Sequence, residues 1–313
     1  MFRRVCAGLN AALRQAEYGH FLRLYFSVVF AAIFELNKSR GGKAMDLSKK
    51  HDAAGLLQID KDADGILRVT LNDPARRNAL SEAMLDRLGT ILADAAIDAS
   101  VRVIILAANG PAFCAGHDLK EMSAGRANAD QGEAYFTDVL KRCSSVMQAI
   151  LQNPKPVIAE VAATATAAGC QLVASCDLAY AAQSARFSTP GVHIGLFCST
   201  PMVALSRNVG AKHAMEMLLT GEMVPAARAA EIGLVNAVVD DADLTDHVTA
   251  VAHKIASKSP VTLAIGKSAF YTQRELSIAD AYEYASRVMV ENMLHRDAVE
   301  GIDAFIEKRE PKW

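Results

Sequence analysis

β-type runs and helical periods alternate from residue 56 to residue 182, and after residue 200 almost every period is helical. No other feature limits the possible folds as strongly. "GLLQID" and "ILRVTLN" are β-type runs separated by "KDADG", whose Asp64-Gly65 end is a hairpin signal. Ser81 precedes "EAMLDRLGTILADAAID", where Leu and Met recur at helical spacing, so it is expected to cap a helix. "VRVIILAA" reads as a buried strand, residues 131–151 as a helix stopped by "NPKP", and "VIAEVAA" and "DLAYAA" as further strands. The helical remainder runs through "KHAMEMLLT", "DLTDHVTAVAHKIASK" and "PVTLAIGKSAFYTQ" to the C-terminus. Alternation followed by helices predicts an α/β core with crossover connections and an appended α-helical region. We place the core at 51–250 and the helical region at 251–313.

The start of the chain reads differently. "MFRRVCAGLNAALRQA" is Arg-rich and free of acidic residues until Glu17, and the apolar run that follows it is broken by Arg23. That run is too short and interrupted for a stable membrane span. Three readings stay open: a transit-like segment, a membrane-surface helix, and translation from an upstream start with Met45 opening the ordinary beginning. Residues 1–50 are set outside the fold. None of the six cysteines forms a CxxC pair, and most lie in apolar or small-residue context. Reduced, buried thiols and a cytoplasmic location are expected, or the mitochondrial matrix if residues 1–44 are a transit peptide. A net charge of -2 offers no basic field for nucleic acid. His213 and Glu216 share a helix face without a third ligand, so no metal is expected.

Two loops stand out because each sets backbone amides after a buried strand. They are "FCAGHDLKEM", residues 113–122, and "ATAAGCQL", residues 165–172. Small residues let a ligand approach the backbone, and amides at a helix N-terminus carry partial positive charge. Two such amides meeting one oxygen would form an oxyanion hole, each donor worth about 3 kcal/mol. Either loop alone is better explained by tight helix–strand packing.

"AFCAGHDLKEM", "AAGCQLVASCDLAYAAQSARFSTPGVHIGL" and "AMEMLLTGEMVPAARAAEIGLVNAVV" together resemble signature blocks of the crotonase, or enoyl-CoA hydratase/isomerase, superfamily. "LNDPARRNAL" resembles its N-terminal block and "EGIDAFIEKREPKW" its C-terminal tail. The resemblance implies a crotonase-type spiral ββα core with a C-terminal α-helical trimerisation region, giving a homotrimer or a dimer of trimers. It implies an acyl-CoA thioester as partner, coenzyme A entering as part of the substrate, and no permanently bound cofactor. The thioester oxygen would sit between the backbone amides of His117 and Ala168. Coenzyme A would be contacted by Arg77, Ala79, Ala115, Asp118 and Lys120, although Arg77 and Lys120 also read as solvated surface residues.

The chain departs from the family pattern where the chemistry is expected. Hydratases carry a Glu at the position of Gln171 and a second at that of Gly191, and those carboxylates hold the water and manage its proton. A carboxamide has no accessible pKa and glycine has no side chain; each lost acid or base typically costs about 10²- to 10⁴-fold. Ordinary hydratase turnover is therefore expected to be weak or absent. The family's "GGG" is "AAG" here, and its "NG" is Ala162-Ala163. Of the possible substitutes, the His117 imidazole points towards the ligand or into solvent, and His193 reaches the acyl cavity or is satisfied locally. Ser199 is either an acid-position substitute or, ahead of Pro201, a helix cap, and Glu160 is expected in an ion pair. Three functions follow: a glutamate-independent acyl-CoA enzyme (decarboxylase, isomerase or thioesterase), a non-catalytic acyl-CoA binder or regulator, and a membrane-surface protein. The preserved loops argue against the last.

Overall fold

The computed structural model describes residues 55–313; the extension expected over residues 1–50 lies outside the described residues. Strands β1 (Leu57–Lys61) and β2 (Ile66–Leu71) form the expected antiparallel hairpin. Its turn is closed by the Asp62 carboxylate, which accepts from the amides of Asp64 and Ile66, and Gly65 supplies φ +83°. Helix α1 (Glu82–Ile97) begins at Ser81, whose hydroxyl accepts from the Met84 amide, so the cap is where the sequence put it.

Strand β3 (Val103–Ala108) leads to β4 (Ala112–Cys114), then to helices α2 (Leu119–Arg126) and α3 (Glu133–Gln152). Strand β5 (Val157–Val161) leads to β6 (Thr164–Thr166) and α4 (Ala168–Ser175). Strand β7 (Leu178–Ala182) leads to β8 (Arg186–Ser188), a 3₁₀ turn over Pro190–Ile194 and α5 (Ser199–Asn208). Then come α6 (Ala211–Thr220), β9 (Val224–Pro225), α7 (Ala226–Glu231), β10 (Ala237–Val239) and α8 (Leu244–Ala256). Helices α9 (Pro260–Gln273), α10 (Ile278–Met293) and α11 (Arg296–Glu307) finish the chain.

The first sheet runs β1-β2-β3-β5-β7-β10 and the second β4-β6-β8-β9. Strands β3, β5 and β7 of the first are each followed by a short strand of the second and then by helix, and both sheets advance in the same order. A ββα unit repeats in one direction, which is a spiral. The central strands are apolar on both sides because both are covered. Ile104 and Leu106 of β3 join the core under α1 and α3, while Val103 and Ile105 face Val248 and Ala252 of α8. The expected division at 250 falls inside α8, whose buried face packs on the sheet.

The short strands β4, β6, β8, β9 and β10 are the elements that the sequence pattern did not reveal. Two or three residues are too few to display a period of two. Among the described residues no helix is long and apolar enough to cross a membrane.

Candidate active site

Strands β4, β6 and β8 are neighbours and parallel. Their C-terminal ends therefore bring together three stretches distant in sequence: residues 115–118, 167–171 and 189–191.

The first stretch is held by the turn before α1. Asn78 is fully buried at φ +52°, a region where its short polar side chain is tolerated. Its oxygen accepts from the Asp73 amide, and its NH₂ donates to the Asn109 and Ala112 carbonyls. This fixes Arg77, also left-handed at φ +53°, so that its carbonyl accepts from the Ala115 amide at 3.1 Å. Leu80 then donates to the Gly116 carbonyl at 2.7 Å. Asp118 caps α2, accepting from the amides of Lys120 and Glu121, and takes the Arg76 guanidinium at 3.2 Å. Hydrogen bonding to Asp73, with a smaller share from Asp118, raises the Arg76 pKa. Arg77, Ala79, Ala115, Asp118 and Lys120 thus share one seam. The Arg77 and Lys120 side chains face solvent, while the Asp118 carboxylate is engaged within the protein. Arg76, the ion partner, lay hidden in an Arg-Arg pair that gave no reason to choose between them.

The second stretch turns sharply. Ala167 has φ +51° and ψ -120°, donates to the Ser188 carbonyl at 2.9 Å and accepts from the Gln171 amide at 3.0 Å. A side-chain-bearing residue in such a region is strained by about 1–3 kcal/mol. The two stretches touch through glycines. A Cβ on Gly116 would stand 2.9 Å from the Ala167 Cβ and 3.3 Å from the Ala168 nitrogen, and one on Gly169 would stand 2.1 Å from the Cys114 carbonyl oxygen. Only glycine permits this approach.

The backbone amides are directed by the same geometry. Leu80 and His117 form a parallel bridge in which Leu80 supplies the N–H and Gly116 the carbonyl, so the His117 N–H faces away from Leu80. The Ala168 N–H is the first of α4 and has no acceptor within the helix. Two outward amides therefore flank the contact between Gly116 and Ala168.

Several polar groups around this contact are buried without hydrogen-bond partners: the Gln171 Oε1, the Thr189 Oγ1 and both ring nitrogens of His117. Gln171 is 5% exposed and Thr189 fully buried. Burial lowers the His117 pKa, and the Leu80 backbone opposes that shift. Thr189 was not apparent from sequence; its position before "PGV" is the one signal available.

The third stretch is closed against a side chain. A Cβ on Gly191 would stand 2.9 Å from both the Leu196 carbonyl oxygen and the Cys198 Sγ. His193 is exposed and turned to α6: a Cβ on Gly221 would meet its Nε2 at 2.9 Å. Ser199 is exposed, and the capping role expected for it does not hold. Its amide donates to the Phe197 carbonyl at 2.7 Å and its hydroxyl to the same oxygen at 3.3 Å. This tight turn draws Ser199 into the first turn of α5 and leaves the cap position to Cys198, with no side-chain bond.

Other expectations resolve simply. Glu160 pairs with Arg68 at 2.6 Å and accepts from Thr245 at 2.9 Å, the ion pair expected. His213 lies 3.2 Å from Arg228 and 3.8 Å from Glu216. Cys114, Cys143, Cys170, Cys176 and Cys198 are free and buried; burial pushes the Cys114 and Cys170 thiols up to about 12.

Known proteins match this arrangement over most of its length. A family model described as enoyl-CoA hydratase/isomerase matches residues 61–313. The mitochondrial enoyl-CoA hydratase domain-containing protein 3 of Rattus norvegicus is 48% identical over 257 residues, 82% of this chain and 84% of the rat protein. A solved enoyl-CoA hydratase from Mycobacterium smegmatis is 52% identical, with a TM-score of 0.79 over 82% of this chain and 98% of its own. The crystal structure of the human enoyl-CoA hydratase domain-containing protein 3 is 46% identical, with a TM-score of 0.77 over 82% of this chain and 100% of its own.

Proposed function

This chain belongs to the enoyl-CoA hydratase/isomerase family, and from that premise we propose that it binds an acyl-CoA thioester and polarises it without a carboxylate pair. The thioester oxygen is received by the backbone amides of His117 and Ala168, and coenzyme A lies along the seam of Arg77, Ala79, Ala115 and Lys120. The observation that carries this reading is the approach of the two loops, where a Cβ on Gly116 would come within 3.3 Å of the Ala168 nitrogen. Preorganised amides stabilise negative charge on that oxygen whatever group moves the proton. Gln171 offers no acid–base function, and the closed space beside Gly191 leaves no room for a second carboxylate. Water addition across a double bond is therefore a poor use of the site. Loss of CO₂ from a malonyl-type thioester suits it better, because that step produces the enolate without a general base.

The test is a His117→Pro variant, which deletes one amide while leaving the Leu80–Gly116 bond available. Wild type is expected to consume at least one member of an acyl-CoA panel, malonyl-type thioesters included, about 10²- to 10³-fold faster than the variant. Equal rates would remove the enzymatic reading. The partnerless Gln171 Oε1 favours a second reading, since an amide orients a ligand without reacting with it. Tight calorimetric binding with no turnover would select a binder, and no binding of any acyl-CoA would exclude both.

The relatives from animals carry "mitochondrial" in their names and lend no support to a cytoplasmic location. We therefore place the protein in the mitochondrial matrix, where residues 1–44 fused to a reporter should deliver it; a cytosolic reporter would contradict this. We also assign the apolar faces of α9 to α11 to assembly into a trimer or a dimer of trimers.

A further inference from the structure

The loop that presents the His117 amide is tied three times to a single turn, and the third tie is made by side chains. The turn opens as a 3₁₀ turn over Pro74–Arg76 and runs on to Leu80. Arg77 and Leu80 supply the first two ties, to the Ala115 amide and the Gly116 carbonyl. The Gly116 carbonyl and the His117 N–H belong to one planar peptide unit, so the Leu80 bond sets the direction of that N–H. A single hydrogen bond fixes a point and leaves the unit free to pivot about it. Gly116, at φ +91°, offers no side chain to resist the pivot. The next fixed point along the chain is Asp118.

The Asp118 carboxylate works in two directions. Its Oδ1 accepts from the Lys120 and Glu121 amides at 2.9 and 3.3 Å, bonds that move with α2. Its Oδ2 accepts from Arg76 Nη1 at 3.2 Å, a bond that reaches back to the turn. The same guanidinium donates through Nε to Asp73 at 2.8 Å and has Glu121 at 3.7 Å. Glu121 in turn accepts from the Glu82 amide, the first of α1, at 2.9 Å. Packing holds α2 at its far end, where Gly125, its one buried residue, lies against the Tyr135 ring. At the near end Leu119 is 58% exposed, so the polar network decides where the helix begins. Three carboxylates thus surround one guanidinium. That excess of negative charge makes Arg76 a poor receptor for a phosphate and a good clasp for acidic groups.

We propose that Arg76 is a positioning residue for the oxyanion hole. By holding Asp118 and Glu121 to the turn that also holds Ala115 and Gly116, it fixes the direction of the His117 amide. This rests on the acyl-CoA reading above and adds to it a residue that touches neither thioester nor coenzyme.

Infrared difference spectroscopy of bound butyryl-CoA, labelled with ¹³C at the thioester carbonyl, tests the role at saturating ligand. Arg76→Met and Arg76→Gln both remove the cation, and the polar replacement serves should the apolar one fail to fold. Either should bind butyryl-CoA with little change in affinity and return the carbonyl band part of the way to its free position. Any turnover found in the acyl-CoA panel should fall about tenfold, short of the 10²- to 10³-fold expected for deleting the amide itself. Arg76→Lys restores the charge without the planar fork and should recover part of the shift. A lowered melting midpoint with the bound carbonyl still at its wild-type frequency would mark a merely structural role and overturn the proposal. Weaker binding at an unchanged frequency, the mark of a phosphate contact, would overturn it too. A wild-type band at the solution frequency, or no binding of butyryl-CoA or any longer acyl-CoA, would instead remove the acyl-CoA reading, and this inference with it.

Discussion

Residue 191 decides more than its missing side chain suggests. The positions that would carry hydratase carboxylates have diverged unequally. At 171 an amide of similar size occupies a buried site, and a carboxylate could be written back there. At 191 the Leu196 carbonyl and Cys198 Sγ stand 2.9 Å from where a Cβ would be, so a glutamate must displace the following turn. Overpacking of this kind typically costs about 1–3 kcal/mol. The double substitution Gln171→Glu with Gly191→Glu should therefore lower stability by that amount and still fail to hydrate crotonyl-CoA, measured by loss of enoyl absorbance. Recovery of hydration would show that the turn yields and that only side chains had been lost. Ala167 carries the opposite kind of misfit, at φ +51° without being glycine. Ala167→Gly should relieve about 1–3 kcal/mol of strain, less about 0.4–1 kcal/mol returned to the unfolded chain. A melting midpoint raised by about 2–4 °C is the expected result, and a lowered one would contradict the strain.

At the scale of elements, α4 carries the Ala168 amide at one end and is anchored at the other through Asp177. That carboxylate accepts from the Val157 amide at 2.7 Å, Lys267 Nζ at 2.6 Å and the Tyr271 hydroxyl at 2.9 Å. Lys267 also donates to the Ile150 and Lys155 carbonyls, so one buried ammonium joins α3, β5, α9 and the end of α4. Burial lowers its pKa, against the attraction of Asp177; burial and that same charge raise the Tyr271 hydroxyl. Lys267→Met leaves a half-buried carboxylate without its cation and should cost about 3 kcal/mol, lowering the melting midpoint by on the order of 10 °C. A midpoint within error of wild type would show that water replaces the ammonium. None of this hub was legible in sequence, because a lysine in an apolar helical run looks like a solvated one. The long strands β3, β5 and β7 were legible because coverage on both sides makes them apolar but for Glu160, and Ser81 because its cap is local. Ser199 misled for the converse reason: the Phe197 turn that captures it depends on tertiary packing. The site loops showed in their small residues, while Asn78, Thr189 and the filling of space by Cys198 depend on neighbours distant in sequence.

At the scale of the whole molecule, the helical end of the chain leaves large apolar side chains exposed among the described residues. No apolar residue of α9 or α10 is buried, and Ile278, Leu294 and Phe305 are 81%, 81% and 85% exposed. Apolar area on this scale calls for a partner. Sedimentation should find a trimer or hexamer, and Leu294→Asp with Phe305→Asp should shift it towards monomer; a wild-type monomer at micromolar concentration would contradict the assembly. The proposed function depends on one interaction, a thioester carbonyl held by two backbone amides. Infrared difference spectroscopy of a bound acyl-CoA labelled with ¹³C at the thioester carbonyl observes that interaction directly. The carbonyl band should move to lower frequency on wild type and on His117→Gln, and return towards its free position on His117→Pro. A bound thioester whose carbonyl band stays at its solution frequency on the wild-type protein would contradict the account.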